Sequence, residues 1–223
     1  MFVKVCGITS EEDGLLSVAM GADAVGFVFA PSVRQVAVDL ARDVARRLPP
    51  EVLTVGVFRD EMAQRVVEIC HRAGLRAAQL HGHETAEDTR FVRERVGLVI
   101  KAFPSGSPDL DRVGDFGADA VLIDAPSPGS GEVFDWSEVE GAPITRRFLL
   151  AGGLSPENVA DAVERIRPWG VDVSTGVESA PGRKDPVKVR DFIRNARAAE
   201  RPDYHGDEDH VPYDWEEEGF GLR

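Results

Sequence analysis

Eight short apolar runs, spread through 223 residues and separated by stretches of helical character, constrain this chain more than any other feature. They lie at 3–7, 24–29, 53–58, 77–81, 98–103, 120–124, 147–151 and 171–174, and they read as short buried strands. The stretches between them mostly carry helical periodicity and helix-start signals. Ser10 precedes Glu11, Glu12 and Asp13, and Thr85 stands three residues before Asp88. Ser155 and Asp185 are each followed by a proline, the pattern of a cap and a first helical turn. Strand and helix alternating eight times predict a single-domain, eight-stranded parallel (β/α)8 TIM barrel over 1–199. An open doubly wound sheet is the alternative. Eight units of similar size without a long insertion favour closure.

Charge narrows the partners. The net charge is −13, and −7 of it falls between 200 and 223. An acidic body argues against nucleic acid, which is held by Lys and Arg. It does not argue against a small anionic substrate, for which backbone amides and one or two arginines suffice. Two cysteines without neighbouring ligand residues speak against a disulfide framework and a zinc site. A reducing, cytoplasmic compartment is expected. The first strand begins almost at residue 1, so no signal peptide is expected. No apolar run approaches the ~20 residues of a membrane helix. Residues 200–223 intersperse acids with Tyr204, Tyr213, Trp215 and Phe220. They read as an acidic, disordered C-terminal extension, or else as a segment that packs across the barrel or a second subunit through its aromatics.

Barrel enzymes carry their chemistry at the carboxyl ends of the strands. There the first run ends on Cys6 and the sixth on Asp124. A thiol and a carboxylate facing one barrel mouth are a base and an acid. Cys6 by position also suits a small buried hydrophobe, whereas a carboxylate closing Val121-Leu122-Ile123 requires a reason to be there. Arg34 follows Phe27-Val28-Phe29 and is either a surface arginine or a clamp for a carboxylate beside a ring. Glycines cluster in three loops: Gly129-Ser130-Gly131, Gly152-Gly153 and Ser174-Thr175-Gly176. Each could be only a tight turn, but together on neighbouring strand ends they form a candidate phosphate cradle. His81 and His83 straddle Gly82 without an evident third ligand, so no metal is expected. Cys70 belongs to a helical apolar face, and much of 126–146, with three prolines and three glycines, reads as a functional loop.

These residues together resemble the phosphoribosylanthranilate isomerases, barrel enzymes of tryptophan biosynthesis. The resemblance runs from about Val3 to Ala198. It rests on Lys4-Val5-Cys6-Gly7-Ile8-Thr9, on Gly26-Phe27-Val28-Phe29 with Ser32-Val33-Arg34, and on Gln79-Leu80-His81-Gly82. It continues through Gly129-Ser130-Gly131 with Phe134-Asp135-Trp136, Leu150-Ala151-Gly152-Gly153-Leu154, Asp172 to Glu178 and Gly182-Arg183-Lys184-Asp185. It implies an Amadori rearrangement of N-(5-phosphoribosyl)anthranilate with no metal or organic cofactor. Asp124 would protonate the furanose ring oxygen, and Cys6 would take the proton from sugar carbon 2. Arg34 would hold the anthranilate carboxylate, and the glycine loops the phosphate. Two features depart from the family pattern: the prolines of Pro126-Ser127-Pro128 and the tail from His205. The related histidine-pathway isomerase, or a dual-substrate enzyme, is the nearest alternative. It carries an aspartate where Cys6 stands here and tends to repeat its phosphate loop after strand three, where Gly56-Val57-Phe58-Arg59-Asp60 offers none. A non-catalytic barrel that binds a phosphorylated ligand is the alternative from another class.

Overall fold

The computed structural model describes residues 1–125, 136 and 147–200. Eight parallel strands close a barrel in chain order: β1 (Phe2–Cys6), β2 (Ala24–Val28), β3 (Leu53–Phe58), β4 (Ala77–Leu80), β5 (Leu98–Pro104), β6 (Ala120–Asp124), β7 (Phe148–Leu150) and β8 (Gly170–Val173). The last strand pairs with the first, with Lys4 opposite Asp172. Seven helices are described: α1 (Glu11–Ala19), α2 (Val38–Ala45), α3 (Ala63–Ala73), α4 (Ala86–Val96), α5 (Val113–Phe116), α6 (Val159–Ile166) and α7 (Pro186–Ala198). After β8 the chain makes a one-turn 3-10 helix at Thr175–Val177. It then forms an antiparallel hairpin of β9 (Glu178–Ala180) and β10 (Arg183–Lys184).

Strand alternation sorts the side chains into two populations. Val3 and Val5 join the outer core between strands and helices, with Phe27, Val66, Ile123 and Phe192. Phe2 joins the inner cluster with Leu53, Ile100, Leu122 and Leu149. Lys4 and Cys6 have the parity of Phe2 and therefore face the barrel interior, as Gln79 and His81 do on the parity of Ala77, and Asp124 on that of Ala120 and Leu122. At the amino end the inner cluster is apolar. Phe2 stacks on Trp169 with ring centroids 4.6 Å apart, beside a cavity of about 40 Å³.

The predicted caps hold at three of four helices. Ser10 accepts from the Asp13 N–H, Thr85 and Asp88 form a reciprocal capping box, and Asp185 accepts from Val187 and Lys188. Ser155 does not start α6. Its hydroxyl caps a turn at Glu157, its own N–H donates to Asn158, and the helix begins at Val159. Asn158, an equally good turn residue three positions on, takes the boundary.

Candidate active site

Cys6 ends β1 and is buried, with 7% of its surface exposed. Its neighbour on the same face, Lys4, is wholly buried, and Lys4 Nζ donates to Asp172 Oδ1 at 2.9 Å. Burial alone would favour the neutral amine, but Asp172, and Cys6 after it, outweigh that and leave the Lys4 pKa above the ordinary lysine value. Burial pushes the Cys6 thiol up. Lys4 pulls it down and Asp172 up again, and the net shift is upward. A thiol in that condition is a strong base that is scarce at neutral pH.

Asp124 ends β6, again buried. Its Oδ1 accepts from the Ala125 N–H at 2.7 Å. Its Oδ2 lies 3.1 Å from His81 Nε2, close enough to pair but without the alignment of a full hydrogen bond. Gln79 Nε2 stands 2.9 Å from His81 Nδ1. With the amide donating, Nδ1 accepts and the ring proton sits on Nε2, facing the carboxylate. The β4 loop that carries His81 is held from below. Buried Lys101 donates to Gly82 O at 2.7 Å and to Glu84 Oε2 at 3.0 Å, and Glu84 accepts from the N–H groups of Gly82 and Asp60. His83 turns outward to Asp60. The two histidines therefore serve different partners.

Arg34 lies over the β1 turn. A Cβ on Gly7 would stand 2.6 Å from Arg34 Cδ. Its guanidinium forks onto Glu178, with Nε to Oε1 at 2.7 Å and Nη2 to Oε2 at 2.8 Å, and Nη2 also reaches Thr175 Oγ1 at 3.2 Å. Glu178 also accepts from Lys184, whose Nζ reaches Ser174 O as well. Burial would raise the Glu178 carboxyl, but Arg34 and Lys184 hold it below the usual glutamate range. In this structure the carboxylate that Arg34 holds is the protein's own.

The loops after β7 and β8 lie together beside this cluster. Gly152 has φ +84°, and a Cβ there would stand 2.5 Å from Ala125 N and 3.1 Å from Asp124 Oδ1. Only glycine lets the β7 loop pass that close to the acid. Gly153 accepts from Asn158 through its carbonyl, and a Cβ at Gly176 would run into the Leu154 carbonyl. Cys6, Asp124, Arg34, Gly152, Gly153, Ser174, Thr175 and Gly176 thus converge on the carboxyl end of the barrel. Gly129, Ser130 and Gly131 lie outside the described residues, as does the acidic segment beyond Glu200.

The N-(5'-phosphoribosyl)anthranilate (PRA) isomerase family model matches residues 3–195. The chain belongs to this family. An N-(5'-phosphoribosyl)anthranilate isomerase from Desulforudis audaxviator is 50% identical over 204 residues, 88% of this chain and 98% of that protein. The crystal structure of phosphoribosyl anthranilate isomerase from Thermus thermophilus superposes with a TM-score of 0.84 at 40% identity, over 90% of this chain and all of that one. A further phosphoribosyl anthranilate isomerase, solved in complex with reduced 1-(o-carboxyphenylamino)-1-deoxyribulose 5-phosphate, is 42% identical with a TM-score of 0.79, over 89% and 99% of the two chains. Within this isomerase fold, sequence reasoning missed Lys4, Gln79, Asp172, Glu178 and Lys184 as parts of the site. The available signal was spacing: Lys4 and Gln79 each stand two residues before a residue already placed at a strand's end.

Proposed function

We propose that this chain catalyses the Amadori rearrangement of N-(5-phosphoribosyl)anthranilate to 1-(2-carboxyphenylamino)-1-deoxyribulose 5-phosphate, the isomerisation step of tryptophan synthesis. The observation that carries the reading is one thiol and one carboxylate facing into the carboxyl end of one barrel, from strands separated by β7 and β8. Asp124 is the general acid. It gives a proton to the furanose ring oxygen, the C–O bond breaks, and the anthranilate nitrogen's lone pair forms the Schiff base. Cys6, as thiolate, removes the proton from sugar carbon 2, leaving an enolamine. Protonation at carbon 1 and loss of the hydroxyl proton at carbon 2 give the ketone. No atom is gained or lost overall.

Arg34 receives the anthranilate carboxylate. Glu178 supports that role by holding Arg34 through Nε and Nη2 and so fixing the direction of the guanidinium. The glycine loops after β6, β7 and β8 take the phosphate through backbone N–H groups. The substrate is a small molecule, and a free catalytic thiol fits a reducing cytoplasm. Among the described residues no helix is long and apolar enough to cross a membrane. The test is fluorescence-monitored consumption of phosphoribosylanthranilate generated in place, corrected for spontaneous decay. Rapid loss of signal is expected. A folded protein that leaves the decay rate unchanged overturns the reading.

A further inference from the structure

The reaction needs a thiolate, and the position of Cys6 works against one. The thiol is almost closed to water, where a lone negative charge is poorly solvated. What stands beside it is the ammonium of Lys4. Both side chains leave the inward face of β1, two residues apart, and both lean toward the same point on β2. A Cβ on Gly26, the register partner of Cys6, would lie 2.8 Å from Cys6 Sγ and 3.3 Å from Lys4 Nζ. The missing side chain is the space in which the thiol and the ammonium approach each other. Asp172, opposite Lys4 on β8, keeps the ammonium charged and fixes its direction.

We propose that Lys4, held by Asp172, is the positioning residue whose buried cation stabilises the Cys6 thiolate. The inference rests on the acid–base reading above and adds the source of the base. The charges around Cys6 come from every side. Lys4 lies on its own strand, Asp172 on β8, Lys184 on the hairpin after β8, and Arg34 in the loop after β2, while the facing residue of β2 itself is uncharged Gly26. Glu178 occupies both Arg34 and Lys184. Lys4 is thus the cation of this set that Glu178 does not occupy, and its partner Asp172 leaves part of its field to the thiol.

The test follows the thiolate directly, by its ultraviolet absorbance and by its rate of alkylation across pH, in the full chain. Cys6→Ala identifies the signal. Cys70 stays silent because burial pushes its thiol up to about 12. Lys4→Met strands Asp172 and risks the fold, so the decisive pair is Asp172→Asn against the double variant Lys4→Met with Asp172→Asn. Those two differ only in the cation. The midpoint of thiolate formation should be lower in Asp172→Asn than in wild type. In the double variant it should lie about one to three pH units above Asp172→Asn, the range for an opposite charge within a few ångströms. The rising limb of kcat/KM against pH should move by the same amount. Equal midpoints in the two variants would overturn the role of Lys4. The acid–base reading fails by a different sign, a Cys6→Ala protein that still turns over.

Discussion

The two ends of this barrel are built from the same eight strands and have opposite interiors. The amino end is filled with Phe2, Leu53, Ile100, Leu149 and Trp169, and it surrounds a small apolar cavity. The carboxyl end buries Lys4, Asp172, Cys6, Glu178 and Lys184 as one charged group, and Asp124 beside His81. Hydrophobic packing needs only volume and is satisfied by neighbours of any identity. Buried charges need named partners at hydrogen-bond distance, because an unpaired one costs several kcal/mol. One end therefore tolerates substitution at the level of size, and the other at the level of chemistry.

Substitution can break that division in a graded series. The largest effects belong to Cys6→Ala and Asp124→Asn. Each should lower kcat by ~10²–10⁴-fold with little change in KM, since each removes one proton transfer. Near-normal kcat in either variant takes that residue out of the mechanism. Arg34→Ala follows. KM should rise about ten- to a hundredfold, the size of a lost charge-assisted hydrogen bond, with a smaller change in kcat. An unchanged KM assigns Arg34 to Glu178 alone. At the other end, Trp169→Ala should destabilise the fold by about 2 kcal/mol through lost area and the Phe2 stack, read as a lowered urea midpoint, while kcat/KM stays at the wild-type value. A loss of activity in the still-folded protein would show that the two ends are coupled. The smallest effect is Thr85→Ala, which removes one side of the α4 capping box and should cost about 1 kcal/mol by the same measurement.

The two ends also differed in how much the sequence told. Strand positions were legible to within a residue or two because each buried run stands out by its own composition. The caps of α1, α4 and α7 were legible because a cap is a local bargain between residues two or three apart. Cys6 and Asp124 stood out as polar groups closing apolar runs. Lys4, Lys101 and Lys184 did not, for a physical reason. A lysine within a strand ordinarily points to water, and what turns it inward is a carboxylate whose position the local sequence does not disclose. For Lys101 that partner is Glu84, 17 residues back. For Lys4 it is Asp172, on the last strand of the barrel. Arg34 stood out beside its aromatic strand end, while the side chain that it holds in this structure, Glu178, did not. The histidines show the limit of reading spacing alone: two residues apart in sequence, they point to Asp124 and to Asp60.

The bond between Lys4 and Asp172 joins residues 168 positions apart. Synthesis on the ribosome proceeds from the first strand of the barrel to the last, so the cysteine is made well before Asp172. The carboxylate that steadies its neighbouring ammonium comes with the last strand. A nascent chain halted before β8 carries the thiol without the buried ion pair that stands beside it in the finished barrel. The same strand pairing that seals the barrel completes the environment of the thiol, so a partly made molecule has the thiol but not the burial and the charges that shift it. A thiol displaced upward from its ordinary titration at Cys6 is in this sense a report that the last strand has arrived.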